Sequence, residues 1–249
     1  SEQYTQALAL SRMAMELESL LSPTLAAALL LVLPYSILFE LNALAFMFAV
    51  LLLLMSRFPE PSLKERSGGI WQHVSFGIRS YLGTPRLKAV LWLNLAISAA
   101  GAMVIVNSVV YVRQHLNLDE SYVPLVMASL GCGSMFTALV LPNLLNKISD
   151  RLMMCLGGFL ASAALFAGLS LPGYLGLFPL WFVMGVASSL VLIPTGRVVS
   201  DSCKPGDRSD FFSANFSLTH GMWLICYLVA GFVGQIFGLE VCFGVLGLI

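Results

Sequence analysis

Apolar and polar positions alternate along this chain on the scale of whole membrane spans. Continuous apolar runs of about 20 residues recur, and short polar stretches separate them. A helix needs roughly 20 apolar residues to cross the hydrocarbon core of a bilayer, so each run predicts one transmembrane helix. The predicted spans are residues 13–33, 36–56, 89–112, 122–142, 152–171, 174–195 and 212–237, and residues 240–249 form about half of an eighth. The pattern therefore predicts an all-α, polytopic transmembrane helical bundle.

The only long polar stretch, residues 57–88, separates the first two spans from the rest. It carries six basic residues and only two acids, Glu60 and Glu65. A basic segment between spans is retained in the cytoplasm, so we expect this loop to be cytoplasmic. Alternating the spans from it places 12 of the 13 Lys and Arg residues on the cytoplasmic side and leaves Arg113 outside. This asymmetry supports both the number of spans and their direction.

Part of the same stretch predicts an amphipathic helix. Its apolar residues recur at helical spacing, which is typical of a helix lying along the membrane interface. They are Ile70, Trp71, Val74, Ile78, Tyr81 and Leu82. Gly83, Thr84 and Pro85 follow and are expected to end this helix before the next span.

Composition narrows the function classes. The mean hydropathy is +0.88 and only 10% of the residues are charged, which excludes a soluble domain of this size. The net charge is zero, and no nucleic-acid partner is expected. The five cysteines lack metal-ligand spacing, and no common hydrolase or nucleotide-binding motif occurs, so we expect no cofactor, no metal and no enzymatic activity. The chain starts on Ser1 and stops within an apolar run, and we expect that both ends are cut.

The first span opens with ionisable residues close to membrane depth. Arg12 and Glu16 are four residues apart and share one helical face, and Glu18 follows. One interpretation makes Glu16 or Glu18 a carboxylate that exchanges its proton against substrate, with Arg12 adjusting its proton affinity. The other makes them an interfacial ion pair that anchors the start of the helix. The sequence leaves both open.

Polar side chains in later spans offer further candidates. Asn94 and Asn107 lie in the third span, where a buried amide either lines a polar cavity or bonds to a neighbouring helix. The last complete span begins with a polar half that contains Asn215 and His220. Histidine can carry a proton near neutral pH, although a neighbouring carbonyl can also satisfy it.

Two local motifs resemble those of a known transporter family. Residues 21–27, Leu-Ser-Pro-Thr-Leu-Ala-Ala, resemble the Gly-Pro-x-x-Gly-Gly motif in the fifth helix of exporters of the major facilitator superfamily, with Ser22 and Pro23 at its start. Residues 142–151 resemble the degenerate Gly-x-Leu-x-Asp-Arg-x-Gly loop between helices eight and nine, with Asn146 and Lys147 at the Asp-Arg positions. Residues 11–18, Ser-Arg-x-Ala-x-Glu-Leu-Glu, at the start of the first span, are similar to the corresponding segment of bacterial drug and siderophore exporters.

The resemblance implies a division of the chain into two half-bundles. Residues 1–56 would hold the last two helices of the N-terminal half, residues 57–88 the cytoplasmic central loop, and residues 89–249 a C-terminal half truncated in its last helix. Ser22 and Pro23 would permit helix bending. Asn146, Lys147, Asp150 and Arg151 would form a cytoplasmic gating loop.

The implied function is secondary active transport by alternating access. We expect proton-coupled export of a small amphipathic molecule by a monomeric antiporter in the inner membrane of a bacterium. An importer or a lysophospholipid flippase of the same fold is an alternative, since no residue pattern identifies a substrate. A seven-span receptor is the alternative from another class, but the expected cut ends disfavour it. A membrane enzyme would need converging catalytic groups, and none is evident.

Overall fold

The chain is almost entirely helical in the part described by the computed structural model, which covers residues 29, 33, 35–56, 70–145 and 148–249. Its helices are α1 Tyr35–Met55, α2 Ile70–Gly83, α3 Pro85–Val110, α4 Val123–Leu145, α5 Asp150–Gly168, α6 Tyr174–Asp201 and α7 Arg208–Gly247. A π-helical turn, Tyr111–His115, continues α3, and 3-10 turns at Glu120–Tyr122 and Pro205–Asp207 precede α4 and α7. These elements confirm the predicted all-α fold.

Six of these helices are long and apolar enough to cross a membrane, and α2 is the exception. They correspond to the second to seventh predicted spans. The first predicted span, residues 13–33, lies outside the described residues apart from 29 and 33. The helix α3 begins at Pro85, four positions before the predicted start, because proline suits the first turn of a helix.

The helix α7 contains a reversal at Gly238. This residue has φ 85° and ψ 171°, a conformation that glycine adopts without a steric penalty. The segment 239–247 then folds back, and the Cys242 sulfur lies 3.5 Å from the carbonyl oxygen of Ala230. Phe243 of this segment packs against Gly168 of α5, where a Cβ would lie only 2.3 Å from the ring. The apolar run predicted to open an eighth span is therefore a separate helix that packs on the bundle.

The spanning helices α3 to α7 run in alternating directions, so their basic residues collect at one end. We call it the basic end, and its described bases are Arg79, Arg86, Lys88, Arg151, Arg197, Lys204 and Arg208. The opposite end carries Arg113. Two tyrosine hydroxyls form hydrogen bonds between separate segments at that end. Tyr111 donates to the Pro172 carbonyl at 2.9 Å, and Tyr174 donates to the Tyr122 carbonyl at 3.1 Å.

Two spanning helices, α4 and α6, approach each other closely. A Cβ on Gly133 would lie 2.1 Å from the carbonyl oxygen of Phe182, and one on Gly185 would lie 2.0 Å from that of Leu130. Each helix thus presents a glycine to the backbone of the other. Small residues at such a crossing allow backbones to pack closely in a membrane, where apolar burial between helices gives little driving force.

Three serine hydroxyls reinforce this α4–α6 interface. Ser129 donates to the Phe178 carbonyl at 3.1 Å, Ser134 to the Gly185 carbonyl at 3.2 Å, and Ser189 to the Ser134 carbonyl at 3.3 Å. Hydrogen bonds of this kind add roughly 1 kcal/mol each to helix association. The glycines and serines together fix how α4 and α6 are aligned.

The amphipathic helix α2 packs against the start of α7. Tyr81 is fully buried, and its hydroxyl donates to Asn215 Oδ1 at 2.8 Å. A Cβ on Gly77 would lie 2.6 Å from the carbonyl oxygen of Asp210. Phe76 and Leu82 remain exposed, so protein covers only part of the apolar face of α2.

Alkaline titration tests this contact. Burial raises the pKa of Tyr81 from 10.0 to about 12, so the docked state holds the phenolic proton more tightly than the undocked state. Docking of α2 is therefore fully stabilised below pH 10 and weakens as the pH rises from 10 to about 12. We expect Tyr81→Phe to remove the tyrosinate absorbance step near pH 12 and to lower the free energy of unfolding by about 1 kcal/mol. Tyr122→Phe is the control and should leave that step in place.

Candidate functional site

Four ring-bearing residues form a stripe along the first part of α7. Phe216, His220, Trp223 and Tyr227 recur at intervals of four, three and four, which places them on one helical face. We call them the aromatic stripe. Trp223 packs over Gly101 of α3, where a Cβ would lie 2.1 Å from the indole. The ring centroids of Trp223 and Tyr227 are 5.3 Å apart.

His220 is the ionisable centre of this stripe. Its ring stacks on Phe216 with centroids 3.8 Å apart and planes at 29°. Its Nδ1 lies 2.8 Å from the Phe216 carbonyl oxygen, and because a carbonyl only accepts, Nδ1 carries a hydrogen. The side chain is exposed, and Nε2 has no hydrogen-bond partner among the described residues. Nε2 is therefore the atom available to accept or release a proton.

The surroundings of His220 are poor in charge. It lies about 18 Å along the helix axis from Arg208, at 1.5 Å per residue, which is well inside a spanning helix. No other Asp, Glu, Lys or Arg occurs on α7 between Asp210 and Glu240, and none occurs on α3 between Lys88 and Arg113. A group that can ionise at this depth without a charged partner on either helix is a candidate functional group.

The three candidate asparagines make specific contacts between elements. Asn94 is buried and donates to the Val90 carbonyl at 2.9 Å and to Thr195 Oγ1 on α6 at 3.5 Å. Asn107 is buried and donates to the Ala230 carbonyl of α7 at 3.1 Å. Asn215 accepts the bond from Tyr81 already described. In this conformation all three amides therefore connect neighbouring helices.

An ion pair links α5 and α6 at the basic end. Arg197 donates to both carboxylate oxygens of Asp150, through Nε to Oδ2 at 3.0 Å and through Nη2 to Oδ1. Asp150 is the first residue of α5, and Ser149 caps that helix by accepting from the Leu152 amide. An arginine that bonds both oxygens of a carboxylate fixes the relative orientation of the two side chains and also pairs their charges.

Several predicted site residues cannot be compared with these contacts. Asn146 and Lys147 of the expected gating loop lie outside the described residues, as do Glu16, Glu18, Ser22 and Pro23. Arg151, next to Asp150, is exposed and lines a groove between α3 and α5. Within the described residues, no cluster of three His, Cys, Asp or Glu side chains could hold a metal ion.

Comparison with known proteins assigns the chain to a family. The family model described as Major Facilitator Superfamily matches residues 1–172 and, in a second segment, residues 91–249. The two matches together cover the whole chain. The chain belongs to the major facilitator superfamily. No curated protein and no solved structure matched the chain in the two further comparisons.

Membership of the major facilitator superfamily agrees with the helical architecture and decides the general function. The protein is an integral membrane protein and a transporter, built as a bundle of apolar helices. Members of this superfamily carry small-molecule substrates across membranes and are generally not enzymes. The resemblance drawn from the sequence motifs is thus confirmed at the level of the superfamily.

Four residues with specific contacts in the structure are absent from the predicted site residues: Arg197, Phe216, Trp223 and Tyr227. Arg197 pairs with Asp150 across 47 positions, and no local spacing signals that contact. Phe216, Trp223 and Tyr227 were detectable, because their spacing around His220 marks one helical face. The predicted site residues were chosen for their polarity, so the aromatic neighbours of His220 were not among them.

Proposed function

We propose that this transporter exports a small amphipathic molecule in exchange for protons by alternating access. The observation that carries the proposal is the exposed imidazole of His220 in the middle of a spanning helix, within the aromatic stripe. Nδ1 stays bonded to the Phe216 carbonyl in both protonation states, while Nε2 gains and loses the transported proton. Histidine is suited to this role because its charge changes between about pH 5 and 8.

The aromatic stripe supports an amphipathic substrate. Phe216 is 62% exposed, so the part of its ring that does not stack on His220 is open to a ligand. Aromatic faces bind planar apolar groups by stacking and bind cations through the ring quadrupole. Protonation of His220 would repel a cationic substrate held on the same stripe, which couples proton uptake to substrate release.

The other candidate residues, both inside and outside the described part of the chain, take further roles in the proposed mechanism. Glu16 and Glu18 are proposed as further proton-coupling groups on the first span, and Ser22 and Pro23 as the point where that span bends. Asn94, Asn107 and Asn215 are proposed to line the substrate cavity when the helices rearrange. The loop that contains Asn146, Lys147, Asp150 and Arg151 is proposed as the cytoplasmic gate. The Asp150–Arg197 ion pair would hold the gate closed in one of its states.

The proposed arrangement places residues 1–56 in one half-bundle and residues 89–249 in the other. Residues 57–88 join them on the cytoplasmic side of a bacterial inner membrane. The two halves would rock about a cavity at the membrane midplane, as inverted-repeat transporters do.

Flux measurements on the full-length protein test the function. In proteoliposomes with an imposed pH gradient, we expect counter-movement of protons to drive efflux of a fluorescent planar aromatic cation. An uncoupler, which dissipates the pH gradient, should abolish this efflux. A lysophospholipid of similar apolar area is the matched probe. Gradient-independent movement of the lysophospholipid alone would favour a flippase, and proton-driven uptake in the same direction as the protons would indicate an importer.

A further inference from the structure

A groove runs between the first turns of α3 and α5 at the basic end. Its volume is about 690 Å³, and it is distinct from the aromatic stripe on α7. Arg86 of α3 and Arg151 of α5 line it, together with an apolar wall that includes Val90, Trp92 and Met154. It therefore combines two cationic side chains with a surface suited to hydrocarbon.

The two arginines give the groove a net positive charge. Both are exposed, and neither has an ion-pair partner among the described residues. The groove also contains Asp150, but both oxygens of that carboxylate are already bonded by Arg197. The helices α3 and α5 both begin here, so their positive dipole ends add to the attraction for an anion.

Exposed apolar side chains on α3 and α5 lie beside the groove. Trp92 is 66% exposed and lies about 10 Å along α3 from Pro85. On α5, Leu152, Leu156 and Phe159 are exposed and follow one another along the outer face. They give the spanning helix α5 an exposed apolar face that begins next to Arg151 of the groove. Tryptophan at such a level is typical of the region between headgroups and acyl chains.

We propose that this groove binds an anionic phospholipid of the leaflet at the basic end. Arg86 and Arg151 would contact the phosphate and headgroup, and Trp92 with the α5 face would hold an acyl chain. A soluble anion would satisfy the arginines but leave the apolar wall without a partner, so the combination of charge and hydrocarbon surface favours a lipid. Basic residues near a membrane surface are attracted to anionic lipid, and guanidinium groups bind phosphate in a two-pronged manner.

Quenching of Trp92 fluorescence tests this site in the full-length protein. The protein would be titrated in nonionic detergent with phosphatidylglycerol carrying brominated acyl chains, and separately with brominated phosphatidylcholine. The Trp92 signal is obtained as the difference between the parent and Trp92→Phe. We expect half-maximal quenching at a roughly tenfold lower mole fraction of phosphatidylglycerol, because the two arginines attract its extra negative charge.

Matched variants separate the groove from general surface charge. The double variant Arg86→Gln with Arg151→Gln should lose the preference for phosphatidylglycerol. Lys204→Gln with Arg208→Gln removes the same charge from the same end outside the groove and should keep it. Arg86→Lys with Arg151→Lys retains the charge and should keep most of the preference, which separates loss of charge from loss of the arginine side chains. Unchanged quenching of the glutamine variant by brominated phosphatidylcholine would show that it is folded.

Three results would overturn the proposal. Equal quenching by the two lipids would show that the negative charge of the headgroup does not contribute to binding. Loss of the preference in the Lys204 and Arg208 double variant would show that general surface charge is responsible. Complete displacement of the lipid by glycerol 3-phosphate at an equal phosphate concentration would identify a site for a soluble anion.

Discussion

Replacing His220 by glutamine is expected to lower pH-gradient-driven transport on the order of 100-fold, the lower end of what a positioned proton-transferring side chain contributes. Glutamine keeps a polar side chain of similar length but cannot take up a proton at Nε2. Substrate exchange without a pH gradient should continue, because it needs no net proton movement. The measurement is initial flux in proteoliposomes with and without the gradient, compared for parent and His220→Gln.

A second histidine provides the control for His220. His115 is exposed at the end of the π-helical turn that follows α3, near the Arg113 end, and it packs edge-on against Tyr111. We expect His115→Gln to retain gradient-driven flux. If His220→Gln transports at the parent rate in the presence of the gradient, the proton-carrier role of His220 is wrong. Glu16 and Glu18 then become the remaining candidates on the first span.

Substituting alanine for Gly185 is expected to destabilise the protein by about 3 kcal/mol, the upper part of the usual cost of overpacking. The added Cβ would lie 2.0 Å from the Leu130 carbonyl oxygen and 2.9 Å from the Ser134 amide nitrogen. Both are backbone atoms within α4, so the helices must separate to relieve the clash. Separation would also stretch the bonds from Ser134 and Ser189.

Thermal unfolding in detergent measures this effect. A loss of about 3 kcal/mol corresponds to a fall in Tm of roughly 6–12 °C for a chain of this length. Gly133→Ala should behave similarly, because its Cβ would lie 2.1 Å from the Phe182 carbonyl oxygen. The control is Gly196→Ala on the same helix α6, where no atom lies within 4 Å and alanine favours the helix. Equal Tm values for Gly185→Ala and Gly196→Ala would contradict the proposed role of the close contact.

The helical spans could be read from the sequence because their length is set by the bilayer and not by their neighbours. The second to seventh predicted spans each coincide with a helix. Boundaries shifted where local chemistry extended a helix beyond its apolar run, as at Pro85 and at the π-helical turn Tyr111–His115. The position of Gly238 between two apolar runs was also readable, since glycine tolerates a positive φ.

The contacts of the polar residues could not be read in the same way. Tyr81 and Asn215 are 134 positions apart, and Arg197 and Asp150 are 47 apart, so no helical spacing relates either pair. The amphipathic pattern of α2 predicted an apolar face at the membrane interface but not that Tyr81 would be buried against α7. The sequence likewise marked Asn94 and Asn107 as buried polar groups without indicating which helices they would join.

The sequence by itself determined the class of fold, the apolar spans after the first, and membership of the transporter superfamily. These follow from hydrocarbon thickness and short motifs, both of which act locally. Only the tertiary structure decided that Gly133 and Gly185 meet opposing backbones, that Asp150 binds Arg197 and that Arg86 and Arg151 share a groove. The physical reason is that the partner of a buried polar or small residue depends on how whole helices are aligned and rotated against one another.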